Sequence, residues 1–153
     1  MKEIETYRGT IYPWHCDFND HMNVRHYMAN FDDATWQFFA AIGITPSYLK
    51  KENKGMVAVE QNIKYFEELF AGNLIYIKTS LIECKSKAVI IFHKMINVET
   101  NNIVAEAKMV GVHLDKESRK AVPFPDEIQN KLNKLVQKSD ETKQESSIGK
   151  IES

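Results

Sequence analysis

The chain has 153 residues, enough for one domain with a hydrophobic core, and its 43% hydrophobic and 27% charged residues are ordinary for a globular protein. A formal net charge of −1 leaves no electrostatic footprint for nucleic acid. Two cysteines, Cys16 and Cys84, make no disulfide framework, MKEIETYRGTIYP has no apolar signal segment, and no apolar run nears the ~18 residues of a membrane span, so a cytoplasmic protein with free thiols is expected.

Residues Glu5 to Tyr12 read as a first strand, because Thr6, Tyr7, Thr10, Ile11 and Tyr12 favour a pleated surface and Pro13 closes it. Trp14 to Met22 is a polar loop with aromatic punctuation, in which Asp17, Asn19, Asp20 and His21 crowd together. Asn23 is a good N-cap for the helix that follows. Tyr27, Met28, Phe31, Thr35, Phe38 and Ile42 recur at helical spacing, which predicts a helix over Val24 to Ile42. Gly43 fits the left-handed position after its end, and Pro46 follows. Ser47 to Lys54 reads as a charged connection with room for a short helical turn.

Four β-rich segments come next. Gly55 to Phe66 would put Val57, Val59, Ile63 and Tyr65 on one face, and Asn73 to Cys84 would put Ile75, Ile77, Thr79 and Leu81 on one face. Ala88 to Val98 and Ile103 to Leu114 are similar. The short polar links Ala71-Gly72-Asn73, Lys85-Ser86-Lys87 and Thr100-Asn101-Asn102 imply antiparallel hairpins, since parallel pairs need a long crossover. Ile128, Leu132 and Leu135 predict a last helix over Asp126 to Gln137. The domain is therefore expected over residues 1–137, with a disordered polar tail over residues 138–153. One strand, one long helix and four antiparallel strands make an α+β domain in which the helix covers one sheet face. Its open sheet edges favour pairing between copies, giving a homodimer, with a homotetramer as a further option.

This order of elements resembles the hotdog fold, a twisted antiparallel sheet of about five strands wrapped around one long helix. The loop makes the resemblance specific. Asp17-x-Asn19-x-His21-x-Asn23-x-x-x-Tyr27 resembles the motif that opens the central helix in 4-hydroxybenzoyl-CoA thioesterase-like proteins and plant acyl-carrier-protein thioesterases. Trp14, Phe18, Met22, Phe31, Ala34 and Thr35 bring the pattern closest to betainyl-CoA thioesterase-like members. The resemblance implies hydrolysis of an acyl-CoA thioester without a cofactor. It places Asp17 where the 4-hydroxybenzoyl-CoA enzymes carry their catalytic carboxylate. Asp17, Asn19 and His21 fall where the plant enzymes carry site residues, and Asn23 and Tyr27 complete the motif as substrate-binding positions. Many relatives have Gly where this chain has Asp20.

A carboxylate such as Asp17 can activate water or attack the thioester carbonyl itself. Partial burial by Trp14 and Phe18 would raise its pKa. Backbone N–H groups at Asn23 to Arg25 would serve the oxyanion, His21 would orient water or donate, and Asn19 would hold either in place. Taken singly, these residues read otherwise: Asp17 as a turn residue, Asn23 as a cap, His21 as a hydrogen-bonded loop residue. His15 and His26 read as structural or surface residues. Lys85, Ser86 and Lys87 read either as a solvated turn or as a grip on the coenzyme A phosphates. Two other functions compete: a metal-binding protein using His15, Asp17 and His21, whose spacing fits no zinc pattern, and a non-catalytic acyl or aromatic ligand-binding module on the same fold. The acyl group stays open between aliphatic chains and a short, aromatic or quaternary ammonium group held by Trp14, Phe18 or Trp36.

Overall fold

The long helix forms where its caps and period predict it. In the computed structural model, which describes residues 2–136, α1 spans Val24–Ala41. Asn23 is its N-cap, with the side chain accepting from Arg25 N–H, and Gly43 sits just past its end at φ +95°. Tyr27, Phe31, Ala34, Thr35, Phe38 and Phe39 form its buried stripe. Met28, expected on that stripe, is exposed. The tail over residues 138–153 lies outside the described residues.

Five strands surround α1: β1 (Ile4–Thr10), β2 (Lys54–Tyr65), β3 (Leu74–Cys84), β4 (Ala88–Asn97) and β5 (Ile103–Asp115). They form one sheet in the order β1-β3-β4-β5-β2, antiparallel throughout. This is the α+β hotdog architecture. A short helix α2 (Pro46–Lys51), capped by Thr45, fills the expected connection, and residues 126–136 are helical (α3).

Two expectations about β2 fail for physical reasons. It does not form a hairpin with β3; it pairs with β5 on the far edge, while β3 joins β1. Residues 66–73 therefore cross between distant strands, anchored by the fully buried Leu69 and by Phe66 N–H to Val104 O. Nor is its apolar face continuous. A register shift between Ala58 and Glu60 changes which side chains face in, so Met56 is buried while Val57 and Val59 are 40% and 61% exposed. A bulge inserts one residue and flips the alternation beyond it.

The core lies in two clusters along α1. Tyr27, Phe31 and Ala34 meet Ile75, Ile77 and Met95 at its N-terminal half; Phe38, Phe39 and Ile42 meet Leu81, Ile91, Phe124 and Leu132 at the other. Between strands and helix runs a buried polar chain. Thr6 Oγ1 contacts Thr79 Oγ1 at 2.7 Å, Thr79 Oγ1 meets His93 Nδ1 at 2.7 Å, and His93 Nε2 meets Thr35 Oγ1 at 2.9 Å. Thr35 spends its hydroxyl proton on Phe31 O (2.8 Å), so His93 must donate from Nε2 and accept at Nδ1 as a neutral imidazole. Burial holds the pKa of His93 down at about 4.

Candidate active site

The loop before α1 is a tight, self-bonded turn. Tyr12 to His15 begin it, with a 3₁₀ turn at Pro13–His15, and Cys16 pairs with Met22 in an isolated β-bridge. Asp17 N–H donates to His21 O (3.1 Å) and Asp20 N–H to Asp17 O (3.0 Å). Asp20 lies at φ +64°, in the left-handed region. That conformation favours glycine, and Asp is among the few other residues that enter it readily. Met22 N–H donates to Leu69 O at 2.7 Å, which bolts the loop to the 66–73 crossing.

Asp17 is held by both carboxylate oxygens. Oδ1 accepts from Asn19 N–H and Oδ2 from the Asn23 side-chain amide, each at 2.8 Å. The Asn23 amide foremost, then the Asn19 N–H, hold its pKa below the ordinary carboxylate value. The expected upward shift does not occur, because Trp14 and Phe18, at 72% and 106% exposure, point to solvent and do not cover the carboxylate. Asn19 acts chiefly through its backbone N–H, with a smaller contribution from its exposed side chain.

Asn23 faces two ways. Its amide nitrogen serves Asp17, and its Oδ1 accepts from Arg25 N–H (3.0 Å) and Arg25 Nε (3.2 Å). This narrows the oxyanion donors expected at the helix start. Asn23 N–H is bound to His15 O, Arg25 N–H to the cap and His26 N–H to Asn23 O, which leaves Val24 N–H without a partner among the described residues.

His21 points the other way, into a cleft of about 200 Å³ lined by Val24, Tyr27, Tyr65, Phe66, Glu67 and Glu68 as well. Its Nε2 lies 3.5 Å from Glu68 Oε1. Tyr27 is buried, its hydroxyl donates to Glu67 O (3.3 Å), and burial pushes its pKa up to about 12. The cleft thus joins the motif to the end of β2 and the crossing after it. Nothing in the motif points to Glu68, Tyr65 or Phe66, which are brought to the site by long-range contacts, Met22 N–H to Leu69 O and Tyr27 to Glu67 O and the Tyr65 ring.

His15, Asp17 and His21 do not converge on one point. His15 Nδ1 accepts from Tyr12 N–H (3.0 Å) and its ring lies 4.7 Å from that of His26. Among the described residues, no group of three or more His, Cys, Asp or Glu side chains is placed to hold a metal ion. Lys85, Ser86 and Lys87 form the β3–β4 turn, exposed, with Ser86 O accepting from Phe124 N–H and Lys87 O from His113 N–H. The Asp17 loop meets the chain just ahead of β3 and this turn follows it, so the 11 residues of β3 part them by roughly 35 Å within one chain. Trp36 packs edge-on to Phe39 (5.7 Å) and lines a different, smaller cleft, away from His21.

Residues 11–132 match the model of the thioesterase-like superfamily. Over 121 residues the chain is 25% identical to an L-carnitine dehydrogenase/betainyl-CoA thioesterase of Rhizobium meliloti, a match covering 79% of this chain and 24% of that longer protein. Over 127 residues it is 24% identical to the long-chain acyl-CoA thioesterase FadM of Escherichia coli, covering 80% of this chain and 92% of FadM. The protein SAV2348 of Staphylococcus aureus, solved in complex with CoA, superposes with a TM-score of 0.81 at 15% identity, covering 88% of this chain and 85% of that one. The chain spans about a quarter of the bifunctional relatives and nearly all of FadM, and the superfamily model takes in both the Asp17 loop and α1: the chain belongs to the thioesterase-like superfamily.

Proposed function

We propose that the protein hydrolyses an acyl-CoA thioester to the free acid and CoA, with Asp17 as the reacting carboxylate. The observation that carries this reading is the hold on Asp17. Both oxygens are fixed by donors, and the same donors keep the group ionised. A fixed carboxylate beside a helix start can attack the carbonyl carbon, or take a proton from the water that does. Val24 N–H, without a partner among the described residues and at the positive end of α1, is the donor for the oxyanion. His21 lines the neighbouring cleft, where it can supply the proton that the departing thiolate takes up. Asn19 and Asn23 orient Asp17, and Tyr27 forms the floor under the acyl group.

The partner of this reaction is acyl-CoA, and the site is completed by a second copy. β2 is an edge strand with Val57 and Val59 exposed. Antiparallel pairing of two β2 edges sets one copy's Lys54 end beside the other's Tyr65 end. Lys87, Lys116 and Lys120 cluster at the Lys54 end, since Lys116 N–H binds Asn53 O, Asp115 N–H binds Lys120 O and His113 N–H binds Lys87 O. Lys85, Ser86 and Lys87 would then grip CoA phosphates for the other copy's Asp17, not for their own.

The test is steady-state hydrolysis over a panel of acyl-CoA thioesters, reading released thiol. Asp17→Asn should lower kcat by roughly 10²-fold or more, the scale for losing a positioned acid–base group. Circular dichroism should remain native, because Asp17 lies in a loop outside both core clusters. A folded Asp17→Asn variant with near-native kcat would move the chemistry elsewhere, and tight ligand binding with no turnover by the unaltered protein would make it a binding module.

A further inference from the structure

The end of α1 farthest from the Asp17 loop meets the start of β1 and one side of α3, and the three enclose a second cleft of about 250 Å³. Its floor is apolar, made by Ile4, Ala41 and Ile42, and its rim carries Lys2, Lys131 and Lys134. None of the residues lining it is acidic. Lys131 and Lys134 share a face of α3, and Lys131 Nζ lies beside Gly43. Two negative charges stand near these cations, and both fall short of matching them. The C-terminal end of α1 carries roughly half a negative charge, against the ammonium groups of all these lysines. Glu127 lies 3.9 Å from Lys131 on the exposed outer surface, a pair that solvent screens. Lys2 and Lys134 have no hydrogen bond or ion pair among the described residues. Ile4 lies on β1, at the sheet edge opposite β2, so pairing of two β2 edges leaves this cleft uncovered. The 18 residues of α1 set it roughly 27 Å from the Asp17 loop.

We infer that this cleft binds a single-chain carboxylic acid, with its carboxylate among Lys2, Lys131 and Lys134 and its chain on Ile4, Ala41 and Ile42. A compact anion such as phosphate would meet the lysines and leave the floor bare. A neutral chain would cover the floor and leave the ammonium groups crowded together. An acid with an apolar chain answers both. Lysine suits this head group, because an ammonium is a point charge on a flexible stem that follows a carboxylate without demanding one fixed geometry. The volume lies below the range of drug-sized sites, which fits a chain of medium length. The acid that thioester hydrolysis releases belongs to this class, yet binding here does not depend on turnover, and the cleft is separate from the one beside His21.

Decanoate is the probe, titrated into the full chain and followed by the methyl resonances of Ile4 and Ile42. It should shift both. Acetate, which lacks the chain, and decan-1-ol, which lacks the charge, should each bind about 10-fold more weakly or worse. The double variant Lys131→Gln, Lys134→Gln should weaken decanoate about 10-fold, the scale of two exposed ion pairs at their upper end. Ala41→Phe should fill the floor and block the chain. Lys131, Lys134 and Ala41 are exposed, so these variants should fold. Decanoate that shifts only resonances near Tyr27, or that binds the native chain and the lysine variant equally, overturns the inference. So does inorganic phosphate or decan-1-ol binding as tightly as decanoate. Sedimentation with phosphatidylglycerol vesicles that is lost in the lysine variant would put a lipid surface on this rim and overturn it too. A chain that binds decanoate here and cleaves no thioester keeps the inference and rejects hydrolysis, and a hydrolase that does not bind decanoate here does the reverse.

Discussion

Asn23 joins the helix to the chemistry with one side chain. Its oxygen caps α1 through Arg25 N–H and its nitrogen holds Asp17 Oδ2. The two tasks separate by substitution. Asn23→Ser keeps a good N-cap acceptor and so should cost only a few tenths of a kcal/mol in stability, whereas Asn23→Ala should cost ~1 kcal/mol. Both remove the amide that contributes most to lowering the Asp17 pKa. The folded-state pKa should therefore rise, and if Asp17 is the reacting carboxylate as proposed, the acid limb of kcat/KM should move to higher pH in both variants. A pH–rate profile checks this. An unmoved limb in Asn23→Ser would mean that another donor, not the Asn23 amide, sets the charge on Asp17. At this scale the sequence brings Asp17 and Asn23 into one loop and is silent about direction. The spacing from Asp17 to Asn23 marks the contact, but the outward turn of Trp14 and Phe18 depends on a loop bolted to Leu69, far along the chain.

The packing of α1 against β3 and β4 depends on a neutral histidine. His93 is fully buried, stacks on Phe31 with centroids 5.6 Å apart, and is satisfied by Thr79 and Thr35 only as the Nε2–H form. Its folded-state pKa of about 4 lies below the ordinary histidine value of 6.5. The unfolded chain thus takes up the proton first as pH falls, and stability present above about pH 6.5 is lost progressively toward pH 4. The gap corresponds to ~3 kcal/mol. Denaturant unfolding at pH 7 and pH 4.5 should show this loss in the native chain, and His93→Gln should flatten it across that window. An equally steep pH dependence in a folded His93→Gln variant would assign the loss to other groups, the fully buried His113 among them, whose pKa burial also lowers. The elements themselves were legible wherever local signals agree. Cap, period and Gly43 bound α1 to within a residue, and alternation placed β3 and β4. β2 was not legible in the same way. Its bulge leaves no local mark, and its pairing with β5 is decided by long-range contacts that a short link to β3 conceals.

The sheet as a whole has two edges, and only one has reason to meet itself. β2 offers 12 residues, with Val57 and Val59 exposed on them. Its two ends also differ in charge: Lys116 and Lys120 gather beside Lys54, itself paired with Asp115 (2.8 Å), while Glu67 and Glu68 follow Lys64 and Tyr65. Parallel pairing would set like charges together, whereas antiparallel pairing about a two-fold axis sets unlike charges together at both ends, satisfies the unpaired backbone of both edges and covers the valines. Val59 lies at the middle of the strand and so beside that axis, where it would meet its own copy. Sedimentation at micromolar concentration should therefore give a homodimer, and a homotetramer built from such dimers would keep the same contact. Val59→Lys places two ammonium groups together at the axis, where like charges opposite one another destabilise a pair of strands. The variant should shift toward monomer and lose activity with it, because each Asp17 would lose the lysines of the other copy, while far-UV circular dichroism stays native. A native protein that sediments as a folded monomer, or a Val59→Lys dimer as tight as the native one, would place the contact between copies somewhere other than β2. Joining the two ends of β3 across copies would then need a different two-fold.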